Sequence, residues 1–140
     1  MKYLFDTNIC IYYLKGRYDL KPRIESIPAD DRYISEITIA EMIYGAEKSD
    51  RREKNLLTAQ EYIDKFTTIP IASALRVYAK EKARLSRAGN LIDDFDLLIG
   101  ATAIANDLIL VTRNVSHFQR LEGIKIENWV DDNSPSKRIN

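Results

Sequence analysis

Residues 95–111 read FDLLIGATAIANDLILV. From Phe95 to Asn106 the segment is apolar on nearly every side, carrying Leu97, Leu98, Ile99, Ala101, Ala103, Ile104 and Ala105. A helix of that composition is a buried one. Leu108 to Val111 follows as a continuous apolar run, which reads as a central strand of a sheet covered on both faces. A buried helix feeding a buried strand is the repeating unit of an α/β protein.

The flanking sequence extends that pattern in both directions. Tyr3-Leu4-Phe5 is a short aromatic-biased run and reads as a strand, followed by the cap-forming types Asp6, Thr7 and Asn8 and a short helix that ends near Gly16. Leu20 to Ile27 reads as a further short helix. Arg32 to Ser35 reads as the second strand. Thr38 then stands three residues before Glu41, the capping-box spacing, which predicts a helix from there to about Lys48. Arg51 to Phe66 is helical and polar, with Leu56, Leu57, Ile63 and Phe66 as its apolar stripe. Thr67 to Ile71 reads as a strand, and Ala72 to Ala88 as a long helix stopped by Gly89-Asn90. Ile124 to Glu127 is a weaker last strand. The alternation predicts an α/β fold with a mostly parallel central sheet flanked by helices on both faces.

The chain has 140 residues. That length suits one domain, expected over residues 1–130, with a flexible C-terminal tail over residues 131–140. Lys plus Arg equals Asp plus Glu at 21 each, so the formal net charge is zero. Overall charge therefore does not drive the chain onto nucleic acid; binding of that kind needs a local basic surface, a metal or a partner. Cys10 is the one cysteine, so no intramolecular disulfide forms, as suits a reducing compartment. No run approaches the ~20 apolar residues of a membrane span. The expectation is a soluble, cytoplasmic protein with no membrane partner.

In open parallel sheets, ligands gather at the carboxyl ends of the strands. Asp6 directly follows the first strand, Asn114 shortly follows the Leu108–Val111 strand, and Glu41 and Asp96 fall in first turns of helices. Three carboxylates converging at one sheet end repel one another unless a cation lies between them. Mg²⁺ and Mn²⁺ favour such hard oxygen donors, and a metal there serves phosphodiester hydrolysis. Each acid also has a purely structural reading: Asp6 as an N-cap, Glu41 as half of a capping box, Asp96 as a first-turn acid favoured by the helix dipole. The apolar surroundings of Asp96 favour a bound partner, because charge beside a core is costly without one. No Ser–His–Asp or Cys–His arrangement supports acyl chemistry, and no glycine-rich phosphate loop is present.

The assembled blocks resemble a known family. Leu4-Phe5-Asp6-Thr7-Asn8 resembles the opening strand and first acid of PIN-domain nucleases. Ser35 to Ala46, reading SEITIAEMIYGA, resembles the second-acid helix of the VapC toxins; Phe95 to Ala103, reading FDLLIGATA, their third-acid helix; and Leu110 to Phe118, reading LVTRNVSHF, their last motif. The blocks stand in the family's order and span Met1 to about Trp129. The resemblance implies a PIN-like fold and Mg²⁺- or Mn²⁺-dependent endoribonuclease activity. It also implies the toxin's place in a toxin–antitoxin pair. The partners it implies are an RNA substrate, a cognate antitoxin, a second copy in a homodimer, and operator DNA only through the antitoxin complex. Asp6, Glu41 and Asp96 match the family's metal-site acids. Asn114 falls where many members carry a fourth acid, and Thr112 at a small hydroxyl position that orients a ligand. Asp94 is a candidate outer-shell acid, although it and Asp93 also read as solvated loop acids.

Arg113 adjoins Asn114 and suits a phosphate as a bidentate donor or, equally, a solvent-facing position. Lys80, Arg84 and Arg87 share a helix face with Lys82 nearby, which reads as a candidate RNA-backbone surface that Glu81 dilutes or as a plain solvated helix face. Tyr12, Tyr13 and Tyr44 suit base stacking or packing equally. His117, the only histidine, reads as a surface or turn residue, and Cys10 as core. The alternatives to a ribonuclease are a metal-dependent nuclease acting on other nucleic acids and a catalytically silent binding module.

Overall fold

A computed structural model describes residues 1–131. Fourteen elements follow one another, five of them strands: β1 (Tyr3–Phe5), β2 (Arg32–Ser35), β3 (Thr67–Ile69), β4 (Ile109–Val111) and β5 (Lys125–Glu127). The strands form one sheet in the order β3-β2-β1-β4-β5, every pairing parallel. The seven α-helices are α1 (Thr7–Leu14), α2 (Leu20–Glu25), α3 (Glu36–Glu47), α4 (Arg52–Ile63), α5 (Leu75–Arg87), α6 (Asp94–Ala105) and α7 (Val115–Phe118).

Strand alternation divides the core in two. Phe5, Ile34 and Val111 point to one face, where they meet Ile9, Cys10, Tyr13, Ile24, Met42 and Ile63 of α1 to α4. Leu4, Leu110 and Ile126 point to the other, against Leu85, Leu97, Ile99 and Ala103 of α5 and α6. Both faces of the sheet are thus covered, as the unbroken apolar strands require. Trp129, just past β5, closes the first core with its ring edge-on to Phe5, centroids 5.5 Å apart.

Local chemistry sets the boundaries. Gly89 takes φ +65° after α5, and the backbone N–H groups of Gly89 and Asn90 donate to the carbonyls of Ser86 and Leu85. That is the paired closure of a Schellman cap, which needs the left-handed conformation glycine adopts freely. β3 ends at Ile69 rather than Ile71, because Pro70 offers no N–H to extend the ladder and a 3₁₀ turn over Ile71–Ala74 follows.

The capping box expected from Thr38 and Glu41 does not form. Ser35 caps α3 instead, accepting from the Ile37 N–H at 3.0 Å. Two cap-competent residues compete there, and the one at the carboxyl end of β2 wins. The helix starts three residues earlier than the capping box implies, which moves Glu41 from the first turn to the second. Of the expected tail, residues 132–140 lie outside the described residues, whereas Asp131 is held in an ion pair with Arg113.

The order β3-β2-β1-β4-β5 reverses direction between β1 and β4. Chain leaving β1 packs on one face and chain returning to β4 packs on the other, so a crevice opens at the carboxyl ends of these two strands.

Candidate active site

β1 and β4 are in register, Phe5 opposite Val111. The next residue on each strand is Asp6 and Thr112, so the first acid and the hydroxyl are placed side by side by sheet pairing alone. Thr112 Oγ1 donates to Asp6 Oδ2 at 2.8 Å, and the Thr7 backbone N–H donates to Asp6 Oδ1 at 2.8 Å. Asp6 caps α1 and is 4% exposed. Each carboxylate oxygen keeps a free lone pair.

Glu41 arrives from α3. Thr7 Oγ1 donates to Glu41 Oε1 at 2.7 Å and lies 2.9 Å from Thr38 Oγ1. A hydroxyl has one proton, so Thr38 donates to Thr7 and Thr7 to Glu41. Thr7 and Thr38 are buried, and each joins the acids as a structural link that the sequence reading passed over.

Asp96 arrives from the first turn of α6, where Asp93 caps the helix by accepting from the Phe95 N–H at 3.1 Å. The Asp96 side chain is 28% exposed. Beyond β4, Thr112 Oγ1 accepts from the Asn114 N–H at 3.0 Å. Asn114 Nδ2 donates to His117 Nδ1 at 2.7 Å, which leaves the ring proton of neutral His117 on Nε2. His117 Nδ1 also stands 3.9 Å from Asp96 Oδ2. His117 is a surface residue, its side chain 45% exposed, and it also stands beside Asn114 and Asp96; the three-residue spacing from Asn114 on a short helix was the available signal for that contact.

The charges of Asp6, Glu41 and Asp96 act on one another. Burial pushes the Asp6 carboxyl up to about 6, and the negative charges of Asp96 and Glu41 add to that rise. Burial also raises Asp96, with Asp93 and Glu41 adding and only His117 opposing. Among the described residues, neither carboxyl has a Lys or Arg as ion-pair partner. A carboxylate cluster with no fixed cation is the donor set of a hard divalent ion. Among the described residues, no three such side chains already surround a common point. A hard divalent ion keeps several waters and is reached by part of its carboxylates through them, so the donor chemistry of these residues fits such an ion.

Other expected site residues are engaged elsewhere. Asp94 accepts from Tyr78 Oη at 2.9 Å and pairs with Lys82 at 2.9 Å, so it is occupied outside the acid group. The basic stripe on α5 is broken: Arg84 forks onto buried Glu81 at 2.8 and 2.9 Å and donates to the Arg120 carbonyl. Glu81, which looked like a mere dilution of the stripe, is 3% exposed and also receives the Glu122 N–H. Lys80 and Arg87 remain exposed. Tyr13 is buried and donates to Glu25, which removes it from any stacking surface. Arg113 is exposed beside the site, paired with Asp131. Next to Glu41, a groove of about 590 Å³ runs between α1, α3 and α4, with Ile11, Leu14, Met42 and Tyr44 in its walls.

The PIN domain profile matches residues 3–124. The chain is 36% identical over 132 residues to Ribonuclease VapC2 of Haemophilus influenzae, covering 93% of this chain and 99% of that one. It is 32% identical over 130 residues to the tRNA(fMet)-specific endonuclease VapC of Shigella flexneri, covering 92% and 98%. Among solved structures, the DNA-bound VapBC complex of Salmonella typhimurium contains a chain of similar fold. Its TM-score is 0.85 at 32% identity, covering 92% of this chain and 98% of that one. VapBC2 of Rickettsia felis, bound to a DNA fragment from their promoter, gives the same TM-score.

Proposed function

Because the chain belongs to the PIN-domain family, with VapC ribonucleases among its relatives, we propose that it is the ribonuclease toxin of a toxin–antitoxin pair. It cleaves RNA phosphodiester bonds with Mg²⁺ or Mn²⁺ held by Asp6, Glu41 and Asp96. The observation that carries this reading is the uncompensated carboxylate group at the β1–β4 crevice, with Asp6 raised to about 6 by burial and by its neighbours' charge. A protein that keeps acids in that unfavourable state without a partner gains nothing in stability from it.

When bound, the ion supplies positive charge against the phosphodiester and makes water a better nucleophile at neutral pH. The chain's own residues hold and orient. Thr7 and Thr112 fix both oxygens of Asp6. The Thr38–Thr7 hydroxyl relay fixes Glu41. Asp96 sits at the positive end of α6, which favours its ionised form. Asn114 contributes an uncharged amide and holds His117 beside Asp96.

The antitoxin-bound relatives support a cognate antitoxin as partner, and operator DNA is contacted through that complex. A homodimer and cytoplasmic location complete the proposal; among the described residues, no helix is long and apolar enough to cross a membrane.

The test is cleavage of total cellular RNA by the purified protein, with Mg²⁺ or with EDTA, beside Asp6→Asn and Asp96→Asn. Discrete fragments that need metal and vanish in both variants support the assignment. Variants that cut as well as wild type would overturn it. Initiator tRNA, the substrate in the Shigella relative's name, is the first defined RNA to try.

A further inference from the structure

We propose that Arg113, Tyr18 and Tyr12 form a nucleotide subsite beside the acid group, whose phosphate position is held in the free protein by the Asp131 carboxylate. The proposal rests on the RNA-cleaving reading above and names where the substrate's neighbouring nucleotide is gripped.

Arg113 follows Thr112, the residue bonded to Asp6, so its side chain starts at the rim of the crevice. Each of its three guanidinium nitrogens has a partner. Nε and one terminal nitrogen fork onto Asp131 at 3.3 and 3.2 Å, and the other terminal nitrogen reaches the hydroxyls of Tyr18 at 3.2 Å and Tyr12 at 3.5 Å. The same group lies 5.4 Å from the Tyr18 ring centroid. Tyr12 and Tyr18 meet edge-on, centroids 4.9 Å apart. Asp131 is itself oriented by Asn128, whose Nδ2 donates to it at 3.2 Å.

Three features point to a ligand. A two-pronged arginine–carboxylate fork has the geometry arginine uses for a phosphodiester. The pair is open to solvent, with side chains 42% and 54% exposed, so exchanging Asp131 for a phosphate forfeits little stability. Tyr18, 43% exposed, is presented by backbone that non-glycine residues seldom adopt, with Tyr18 at φ +59° and Asp19 at φ +53°. Two successive left-handed residues bring an exposed ring back across Tyr12, where an unstacked base of single-stranded RNA meets an aromatic surface next to a guanidinium. In this arrangement Asp131 competes with the incoming phosphate for the fork.

The full-length protein, wild type and variants, is tested on labelled single-stranded RNA of about ten nucleotides. Binding is read by fluorescence anisotropy in EDTA, and KM and kcat by cleavage with Mg²⁺. Arg113→Ala is expected to weaken binding about tenfold and to lower the salt slope by about one phosphate contact. Arg113→Lys recovers only part, because the fork is lost. Tyr18→Ala weakens binding about tenfold and Tyr18→Phe little. Asp131→Asn, a surface change that leaves the fold intact, tightens binding a few fold. Each effect falls on KM and not kcat. If wild type cleaves RNA in a metal-dependent way but Arg113→Ala and Asp131→Asn bind as it does, the subsite is wrong and the nuclease reading stands. If wild type binds RNA through these residues yet cleaves none, the subsite stands without the nuclease. If wild type neither binds nor cleaves RNA, both fall.

Discussion

Thr7 donates its hydroxyl to Glu41 across 2.7 Å, tying the start of α1 to the second turn of α3. Its backbone N–H holds Asp6, so one residue sets the spacing of two acids. Thr7→Val keeps the shape and removes the hydroxyl. We expect cleavage to fall by one to two orders of magnitude, on the order of 2 kcal/mol, and Thr7→Ser to recover most of it. Stability should drop by only about 1 kcal/mol, the cost of leaving the buried Thr38 hydroxyl without this partner. Cleavage rates beside thermal melts separate the two effects.

Asp6 gives a pH prediction. Its carboxyl, ordinarily at 3.8, is raised to about 6 in the folded protein. Between those values the folded state binds more protons than the unfolded chain, so stability falls as pH rises through this window. Above pH 7 the accumulated penalty is about 3 kcal/mol. In EDTA, Asp6→Asn should therefore melt higher than wild type at pH 7.5 and lose that advantage near pH 4, while abolishing cleavage. Parallel melting curves across this range would remove the electrostatic account of the site.

Arg84 should behave as a structural residue. It satisfies Glu81, and burial of that carboxylate is tolerated only because Arg84 and the Glu122 N–H hold it below the usual carboxylate range. We expect Arg84→Ala to destabilise by about 2 kcal/mol and to leave RNA affinity within twofold at a temperature where both proteins are folded. Glu81's contribution is present above its unfolded value of 4.5 and is lost as pH falls through its lower folded value. Chemical denaturation at pH 7 and pH 3 tests this.

Gly100 packs α6 against the segment after β4. A Cβ there would lie 2.3 Å from Leu121 Cδ1 and 3.2 Å from the Phe118 ring. Both side chains are buried, so neither moves freely. Gly100→Ala should destabilise by about 1–3 kcal/mol despite its better helix propensity. Phe118 adjoins His117, so this variant should also lower cleavage, measured where the protein remains folded.

The pattern of apolar runs made β1, β4 and α6 legible, since a continuous buried strand and an all-round apolar helix leave few alternatives. Asp6 and Asp96 stood out as candidates because one directly follows a strand and the other opens a helix, whereas Glu41 was read through a capping box that does not form. The hydroxyl relay was not: Thr38 carries the residue type and spacing of a helix cap, and only the register of β2 shows that Ser35 takes that role. The α5 stripe was legible as a face but not as a partner set, because Glu81 lies three residues before Arg84 and pulls it inward. Tyr18 and Asp131 join Arg113 through a backbone turn and an ion pair, for which linear spacing offers no signal.

Asp6 and Thr112 are neighbours across adjacent strands, yet 106 residues separate them along the chain. While the chain is being synthesised, the first acid emerges early and waits for β4, which comes last among the strands that frame the crevice. Contacts of such long sequence separation form late. A ribosome carrying the unfinished chain therefore holds the first acid without the strand that completes its setting. The crevice takes shape only once the chain between β1 and β4 has been made and β4 can pair beside β1.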